Sequence, residues 1–131
     1  MAHFILEYSA NLKGELDVPG LLRAVHAAAV ESAVFPLGGI RFRAVRCDEY
    51  LIADGDPENA FIHMSVRMGH GRTLETRKAV GEKLFAALTG FLAPIFGSRP
   101  LGISFEISEL DPDLNFKKNN IHERLKTKGS R

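Results

Sequence analysis

The feature that most constrains this chain is an internal repeat of one pattern: a short apolar run, a helical stripe, a Pro-Leu-Gly corner and a second run. The first copy begins with the apolar run at residues 2–8 and reaches its corner at Pro36. The second copy begins at residues 60–68 and reaches its corner at Pro100. Short apolar runs predict strands, and apolar residues at helical spacing predict helices. The sequence therefore predicts two units, each made of a strand, a helix and a strand.

Capping residues and prolines mark the ends of the two predicted helices. Asp17 precedes one stripe and Thr73 the other, and both residue types accept hydrogen bonds from the N–H groups of a first helical turn. The stripes consist of Val18, Leu21, Leu22, Val25, Ala29 and Ala33 in the first helix and Leu84, Leu88, Phe91, Leu92 and Ile95 in the second. Neither helix is expected to reach its proline, because the residue before a proline disfavours helical backbone.

Two such units predict an α+β fold in which two βαβ units form one four-stranded sheet. Crossovers of this length join parallel strands, and right-handed connections place both helices on one face of the sheet. The other face is left open, and we expect further copies of the chain to cover its apolar area. In the second strand Arg41 and Arg43 share one face, while Phe42 and Ala44 share the other.

A single domain over residues 1–125 is expected from a chain of 131 residues, with pseudo-repeat units at 2–47 and 59–109. The acidic, turn-rich segment between the units reads as a connector.

The residues after the second unit are interpreted as an arm and a tail. The polar segment 110–125 carries isolated apolar residues at Leu114, Phe116 and Ile121, which predict an arm that docks through these side chains. The basic residues 126–131 are expected to fray.

Composition excludes several classes of protein. The net charge of +1 divides into +5 after residue 116 and −4 before it, but the basic end has no RNA-binding motif, so we expect no nucleic-acid partner. The single cysteine, Cys47, cannot form an internal disulfide, which favours a reducing cytoplasm. No apolar stretch approaches the roughly 20 residues that span a bilayer, so we expect no membrane partner.

Three arginines are the strongest candidates for ligand binding. Arg41 and Arg43 begin a strand, and Arg72 ends the glycine-rich segment Gly69–Arg72, which precedes a helix N-terminus. Helix N-termini attract anions, and guanidinium groups pair with carboxylates through two parallel hydrogen bonds. These positions could form a site for a small molecule with several carboxylates, but spacing alone favours ordinary solvated surface charge and indicates no reaction.

Histidines and the cysteine give weaker signals. The five histidines lack the spacing of metal ligands, so no metal site is expected. His63 lies within a predicted strand and is interpreted as a structural residue with its own partners. Cys47 has no base nearby in sequence, which argues against a nucleophile.

Five segments carry a resemblance to a known family. They are residues 3–7 (HFILE), 35–41 (FPLGGIR), 60–64 (AFIHM), 71–75 (GRTLE) and 114–120 (LNFKKNN). In this order and at this spacing they resemble the 5-carboxymethyl-2-hydroxymuconate Δ-isomerases of the tautomerase superfamily. The resemblance extends from residue 3 to about residue 125.

The resemblance implies a homotrimer that works without a cofactor in the bacterial breakdown of homoprotocatechuate. The reaction converts a dienol diacid into its conjugated ketone by moving a proton from the 2-hydroxyl side to a carbon. Arg41 and Arg72 match family positions and would hold carboxylates and stabilise dienolate charge. Arg43, Phe35 and Phe42 would complete the substrate-binding pocket.

The resemblance also implies a base at the chain end. The superfamily uses an N-terminal proline, exposed once the initiator methionine is removed, and here that position is Ala2. A primary amine at Ala2 has a pKa of about 8, and neighbouring arginines would lower it. The sequence therefore predicts the amine of Ala2 as the proton carrier, with Arg41 and Arg72 as anion holders.

Two alternatives remain open at this point. The first is a tautomerase-fold protein that binds a small dicarboxylate or tricarboxylate without catalysis. The second is a 2-hydroxymuconate-type tautomerase with another substrate.

Overall fold

The computed structural model describes residues 1–129 and contains four strands and three α-helices within that range. In chain order these elements are β1 (Ala2–Ser9), α1 (Val18–Ser32), β2 (Ile40–Cys47), β3 (Ala60–Met68), α2 (Leu74–Phe96), β4 (Leu101–Glu109) and α3 (Ile121–Thr127). A short 3-10 turn at Leu37–Gly39 forms the corner before β2.

The four strands form one mixed sheet in the order β2-β1-β3-β4. Pairing is parallel within each unit, between β1 and β2 and between β3 and β4, and antiparallel where β1 meets β3. This arrangement confirms the predicted α+β class and the two βαβ units in one sheet. Because β1 and β3 are antiparallel, the start of β1 and the end of β3 lie next to each other at the same end of the sheet.

Both helices cover the same face of the sheet. Alternate residues of the central strands, including Phe4, Leu6, Ile62 and Met64, point to this face and are fully buried. The residues that α1 and α2 contribute to the core are Leu21, Val25, Ala29, Val80, Leu84, Leu88 and Leu92. Burial of these side chains is the main force that holds helices and sheet together.

The helix ends follow the predicted caps. The Asp17 side chain accepts a hydrogen bond from the Gly20 N–H at 3.0 Å, and Thr73 accepts one from the Thr76 N–H at 3.1 Å. Helix α1 ends at Ser32 and α2 at Phe96, so each stops before its proline as expected. A further proline, Pro94, lies inside the last turn of α2.

Helix α2 is a longer apolar stretch than we expected from the sequence. It has 23 residues, and its most apolar 18-residue window has a mean hydropathy of 1.4, so its length and composition would suffice to cross a membrane. The expectation that no apolar stretch approaches this length is therefore wrong. One stripe of the helix, including Leu84, Leu88 and Leu92, is buried in the core, and core helices commonly reach such hydropathy.

The face of the sheet away from the helices is largely polar, contrary to the expected apolar area. Its large apolar side chains are Ile5, Val45 and Phe61, set among polar or charged residues on all four strands. Strand alternation explains the difference, because each strand directs its apolar set to the helices and its polar set outward.

The segment after β4 is attached differently from the predicted arm. Its three apolar residues are exposed, with 73% of Leu114, 86% of Phe116 and 43% of Ile121 accessible, so they do not dock on their own chain. The contact comes from Asn119, whose Nδ2 donates to the Gly38 carbonyl at 2.8 Å. Of the predicted frayed tail, residues 126 and 127 are helical, and residues 130 and 131 lie outside the described residues.

Candidate functional site

The start of β1 rests on the corner that precedes β2. Ala2 pairs with Ile40, and only 4% of Ala2 is exposed. A Cβ atom at Gly39 would lie 3.1 Å from the Met1 Cα and 3.6 Å from the Met1 nitrogen. Glycine at this position therefore allows the chain start to approach the corner closely.

Cations surround the amine at this chain start. Burial, followed by Lys117, Arg41 and Arg72, lowers the pKa of the Met1 α-amine below its ordinary value. Each of these effects disfavours the charged ammonium form. A larger fraction of the amine is consequently neutral near pH 7, and a neutral amine can accept a proton.

The Arg72 side chain connects the loop after α1 with the loop after β3. Its Nη2 donates to the Val34 carbonyl at 2.8 Å, and its Nη1 donates to the Gly69 carbonyl at 3.2 Å. The predicted anion position at the start of α2 thus holds a guanidinium whose direction is set by backbone on both sides. Its positive charge still acts on the amine.

Arg41 lies at the start of β2, on the open face. Its Nη1 donates to the Gly38 carbonyl at a long 3.4 Å. The strand register places Arg41, His3 and Arg67 in one row across β2, β1 and β3. His3 therefore separates the two arginines, and their charges act on its ring from both sides.

Arg43 lies two residues further along β2 than Arg41, on the same face of the sheet. Its Nη1 is 3.2 Å from His3 Nδ1. Burial, and then the charges of Arg43 and Arg41, lower the pKa of His3. The charge of Arg43 therefore acts on His3, whereas Arg41 and Arg72 act on the amine. With Lys117, these three arginines form a cationic patch.

In the part of the chain that the structure describes, the cations of this patch have no acidic partners. Within residues 1–129, no carboxylate oxygen lies within 4.0 Å of a charged nitrogen of Arg41, Arg43, Arg72 or Lys117. Other arginines are paired, as Arg99 is with Glu15. Unpaired cations around an amine with a lowered pKa can hold an anion while the amine moves a proton.

The two predicted aromatic pocket residues are packed in the core. Phe42 stacks on Phe4 with ring centroids 4.2 Å apart and also meets His26 edge-on. It points to the helix side of β2, opposite to Arg41, and its place in the pocket wall stays a prediction. Phe35 packs edge-on against Phe4 and is only 6% exposed, so it is a core residue next to the turn that precedes β2.

Sequence reasoning missed Lys117. We counted it as part of the basic end, yet its position lowers the pKa of the α-amine. The available signal was the segment LNFKKNN, whose resemblance to the family was specific although no role was assigned to its lysines.

The remaining candidates lie outside this patch. His63 has partners for both ring nitrogens, Ser104 Oγ at 2.6 Å and Glu106 Oε2 at 2.9 Å, consistent with a structural residue. Cys47 is a half-buried free thiol at the far end of β2. Across residues 1–129, no three His, Cys, Asp or Glu side chains are grouped to hold a metal ion.

Comparison with known proteins gives one consistent family. A family model described as 5-carboxymethyl-2-hydroxymuconate isomerase matches residues 2–125. The chain is 44% identical over 126 residues to a 5-carboxymethyl-2-hydroxymuconate Delta-isomerase of Escherichia coli, covering 96% of this chain and all of the relative.

Solved structures agree with the sequence matches. A 5-carboxymethyl-2-hydroxymuconate isomerase from Deinococcus radiodurans R1 is 43% identical, with a TM-score of 0.89 over 94% of this chain and 92% of that one. A wild-type fused 4-OT, solved as a symmetric trimer, shares the fold at 11% identity, with a TM-score of 0.64 over 88% of this chain and 93% of that one.

Proposed function

The chain belongs to the 5-carboxymethyl-2-hydroxymuconate isomerase family, and from this premise we propose that it isomerises 5-carboxymethyl-2-hydroxymuconate to the conjugated ketone. The observation that carries the proposal is the Met1 α-amine, next to the start of β1: its pKa is lowered, and the arginines that lower it have no acidic partner within residues 1–129. An anionic dienol needs both features, a base that is neutral near pH 7 and charges that hold carboxylates.

The proposed base is the amine of Ala2 after removal of Met1. A Cβ atom added at Gly39 would lie 3.6 Å from the Met1 nitrogen and 3.9 Å from the Ala2 nitrogen, so both residues lie against this glycine. Removal of Met1 would leave the Ala2 amine at the same corner, with Arg41 and Arg72 nearby. Because Ala2 is held in the sheet by its pairing with Ile40, its nitrogen has a defined position.

The chemical step is a proton transfer with no net gain or loss. The amine accepts the proton of the 2-hydroxyl group, and the oxygen electron pair forms the ketone as the diene electrons shift. The resulting ammonium returns the proton to the carbon that accumulates charge. Arg41 and Arg72 hold carboxylates and stabilise the negative charge of the dienolate between the two transfers.

We further propose that the working assembly is a homotrimer and that the protein acts in the cytoplasm. A fold neighbour is a symmetric trimer. The open sheet face, where the apolar Ile5 and Phe61 lie among polar residues, offers a surface for other copies. The single free cysteine favours a reducing compartment.

The test follows the ultraviolet band of 5-carboxymethyl-2-hydroxymuconate with protein whose Ala2 terminus is verified by intact mass. We expect turnover above the buffer rate, and acetylation of the amine should reduce it on the order of 10²–10⁴-fold. Ala2→Pro should raise the rate, because it supplies the secondary amine that the family uses. A verified Ala2 protein without activity would sink the proposal.

The same assays separate the alternatives. A protein that binds the anion without catalysis would lose affinity in Arg41→Ala but gain no activity in Ala2→Pro. A tautomerase for another substrate would turn over 2-hydroxymuconate faster than the carboxymethyl compound.

A further inference from the structure

The row of side chains at the end of the sheet where β1 begins continues past Arg41 and His3. Strand register pairs His3 with Arg67 of β3, and Arg67 with Ser108 of β4. The row Arg41, His3, Arg67 and Ser108 therefore crosses all four strands on the open face. Because neighbouring strands lie about 4.8 Å apart, the Arg67 backbone is about 5 Å from that of His3 and about 10 Å from that of Arg41. None of the four residues is acidic.

Arg67 is exposed, and within residues 1–129 no carboxylate oxygen lies within 4.0 Å of its guanidinium. The strands carry two acidic residues on this face, Glu7 and Glu106. Glu106 lies diagonally across from Arg67, but its Oε2 is 2.9 Å from His63 Nε2. Glu7 lies four residues along β1 from His3, or about 13 Å. The Arg67 charge is therefore available to an anion from solution.

His3 adds a hydrogen-bond donor between the two arginines of the row. Its Nδ1 lies 3.2 Å from Arg43 Nη1. A guanidinium only donates hydrogen bonds, so Nδ1 must accept, and the ring carries its proton on Nε2. Burial and the neighbouring arginine charges lower the pKa of His3, which keeps the ring in this neutral form. His3 can thus give an N–H to an anion held beside Arg67.

Arg67 is also connected to the proposed active site through the loop after β3. Two residues after Arg67, the Gly69 carbonyl accepts a hydrogen bond from Arg72 Nη1 at 3.2 Å. On β1, His3 directly follows Ala2, the proposed base. Arg67 therefore lies at the same end of the sheet as the base and Arg72.

The proposed substrate carries one carboxylate more than the two arginines that were assigned to hold it. Muconate has a carboxylate at each end, and the carboxymethyl group adds a third. Arg41 and Arg72 both already donate to backbone carbonyls. The third carboxylate, on a side branch, needs donors beside this pair. Arg67 supplies a charge there, and His3 supplies an N–H.

We propose that Arg67, with His3 beside it, binds the carboxylate of the substrate's carboxymethyl group. These residues would then select 5-carboxymethyl-2-hydroxymuconate over 2-hydroxymuconate, which lacks that group. The inference deepens the proposed function and rests on it. The proposed homotrimer would cover Ile5 and Phe61, further along the strands, while this row lies at the end of the sheet next to the loop of Arg72.

Arg67→Gln tests the proposal, with Arg23→Gln as its matched control. Both arginines are exposed, and Arg23 lies on α1. In R67Q we expect KM for 5-carboxymethyl-2-hydroxymuconate to rise about tenfold, the loss typical of one hydrogen bond to a charged group. The KM or inhibition constant of 2-hydroxymuconate should stay within about twofold, because that compound lacks the third carboxylate.

Two further variants complete this test. R23Q should change neither constant, and Arg67→Lys, which keeps the charge, should restore part of the loss. An equal rise for both compounds in R67Q would assign Arg67 a structural role and overturn the proposal. No rise for either compound would overturn it as well.

His3→Gln and His3→Leu test the second donor. The amide of Gln retains an N–H in place of Nε2, whereas Leu offers none. We expect H3L to raise KM for the carboxymethyl compound roughly three- to tenfold, the usual range for one hydrogen bond, and H3Q to remain closer to wild type. Equal KM values in H3Q and H3L would contradict the role of His3.

Calorimetry separates this inference from the proposed function. If the wild-type protein turns over neither compound, the proposed function fails, and the binding of two stable probes is compared instead. The probes are muconate, with two carboxylates, and propane-1,2,3-tricarboxylate, with three. Weaker binding of the tricarboxylate alone in R67Q, with R23Q unchanged, supports the inference. Equal binding of the tricarboxylate in R67Q and wild type, or no binding of it to wild type, overturns the inference.

Discussion

Single residues decide the chemistry at the end of the sheet. The α-amine owes its lowered pKa to burial and to three cations from separate segments, among them Arg41 and Arg72. Activity that depends on a neutral amine is present above this pKa and is lost as the pH falls through it. Removal of one cation raises the pKa and moves that loss to higher pH.

Arg41→Ala should therefore shift the acidic limb of the pH profile of kcat/KM upward and lower the rate near pH 7. Arg46→Ala is the control, because it removes an equal charge from the other end of β2, where Arg46 pairs with Asp48. The measurement is kcat/KM between about pH 5 and 9, a range that includes the amine's ordinary pKa. An unchanged limb in R41A would show that Arg41 does not act on the base.

Gly39 carries a second prediction at this scale. A methyl group at Gly39 would lie 3.1 Å from the Met1 Cα but 3.9 Å from the Ala2 nitrogen, so Gly39→Ala should displace the chain start and destabilise the fold only in protein that retains Met1. Gly90→Ala is the matched control, since a Cβ there meets nothing within 4 Å inside α2. Alanine in a helix interior should stabilise the fold by about 0.5–1 kcal/mol and leave activity unchanged. Urea denaturation of protein that retains Met1 measures the free energy of unfolding, and equal values for Gly39→Ala and Gly90→Ala would contradict the close approach.

The positions of the site residues depend on where the helices and strands begin and end. Helix α1 begins where Asp17 accepts from the Gly20 N–H, and this end fixes the length of the first crossover. Asp17→Ala should cost about 1 kcal/mol in the free energy of unfolding, the usual value of an N-cap. Asp113→Ala, at an exposed position in the segment after β4, should change it much less. Urea denaturation measures both, and equal losses would exclude a role of the cap.

The whole molecule leaves one sheet face without a covering layer. The proposed homotrimer would cover Ile5 on this face, so Ile5→Lys should weaken the assembly by burying an unpaired charge. Leu51→Lys is the control, because 86% of Leu51 is exposed on the connector. Sedimentation should give three times the 14.4 kDa chain mass for wild type and L51K and a smaller species for I5K. A monomeric wild type would refute the trimer.

The sequence predicted much of the fold because its signals are local. Asp17, Thr73 and the two prolines mark helix ends through backbone chemistry that depends only on neighbouring residues. The repeat then fixed the pairing within each unit. Phe42 and Phe116 show what such local signals leave out. Strand alternation turned Phe42 into the core, and Phe116 found no cover on its own chain.

The sequence by itself determined two βαβ units, their capped helices and the candidate cations Arg41 and Arg72. These follow from periodicity, capping and local charge, which a linear chain displays. Only the tertiary structure decided that the amine, both arginines and Lys117 meet at one corner. That meeting depends on the antiparallel pairing of β1 with β3 and on the hydrogen bond from Asn119 to Gly38, which join residues distant in the chain.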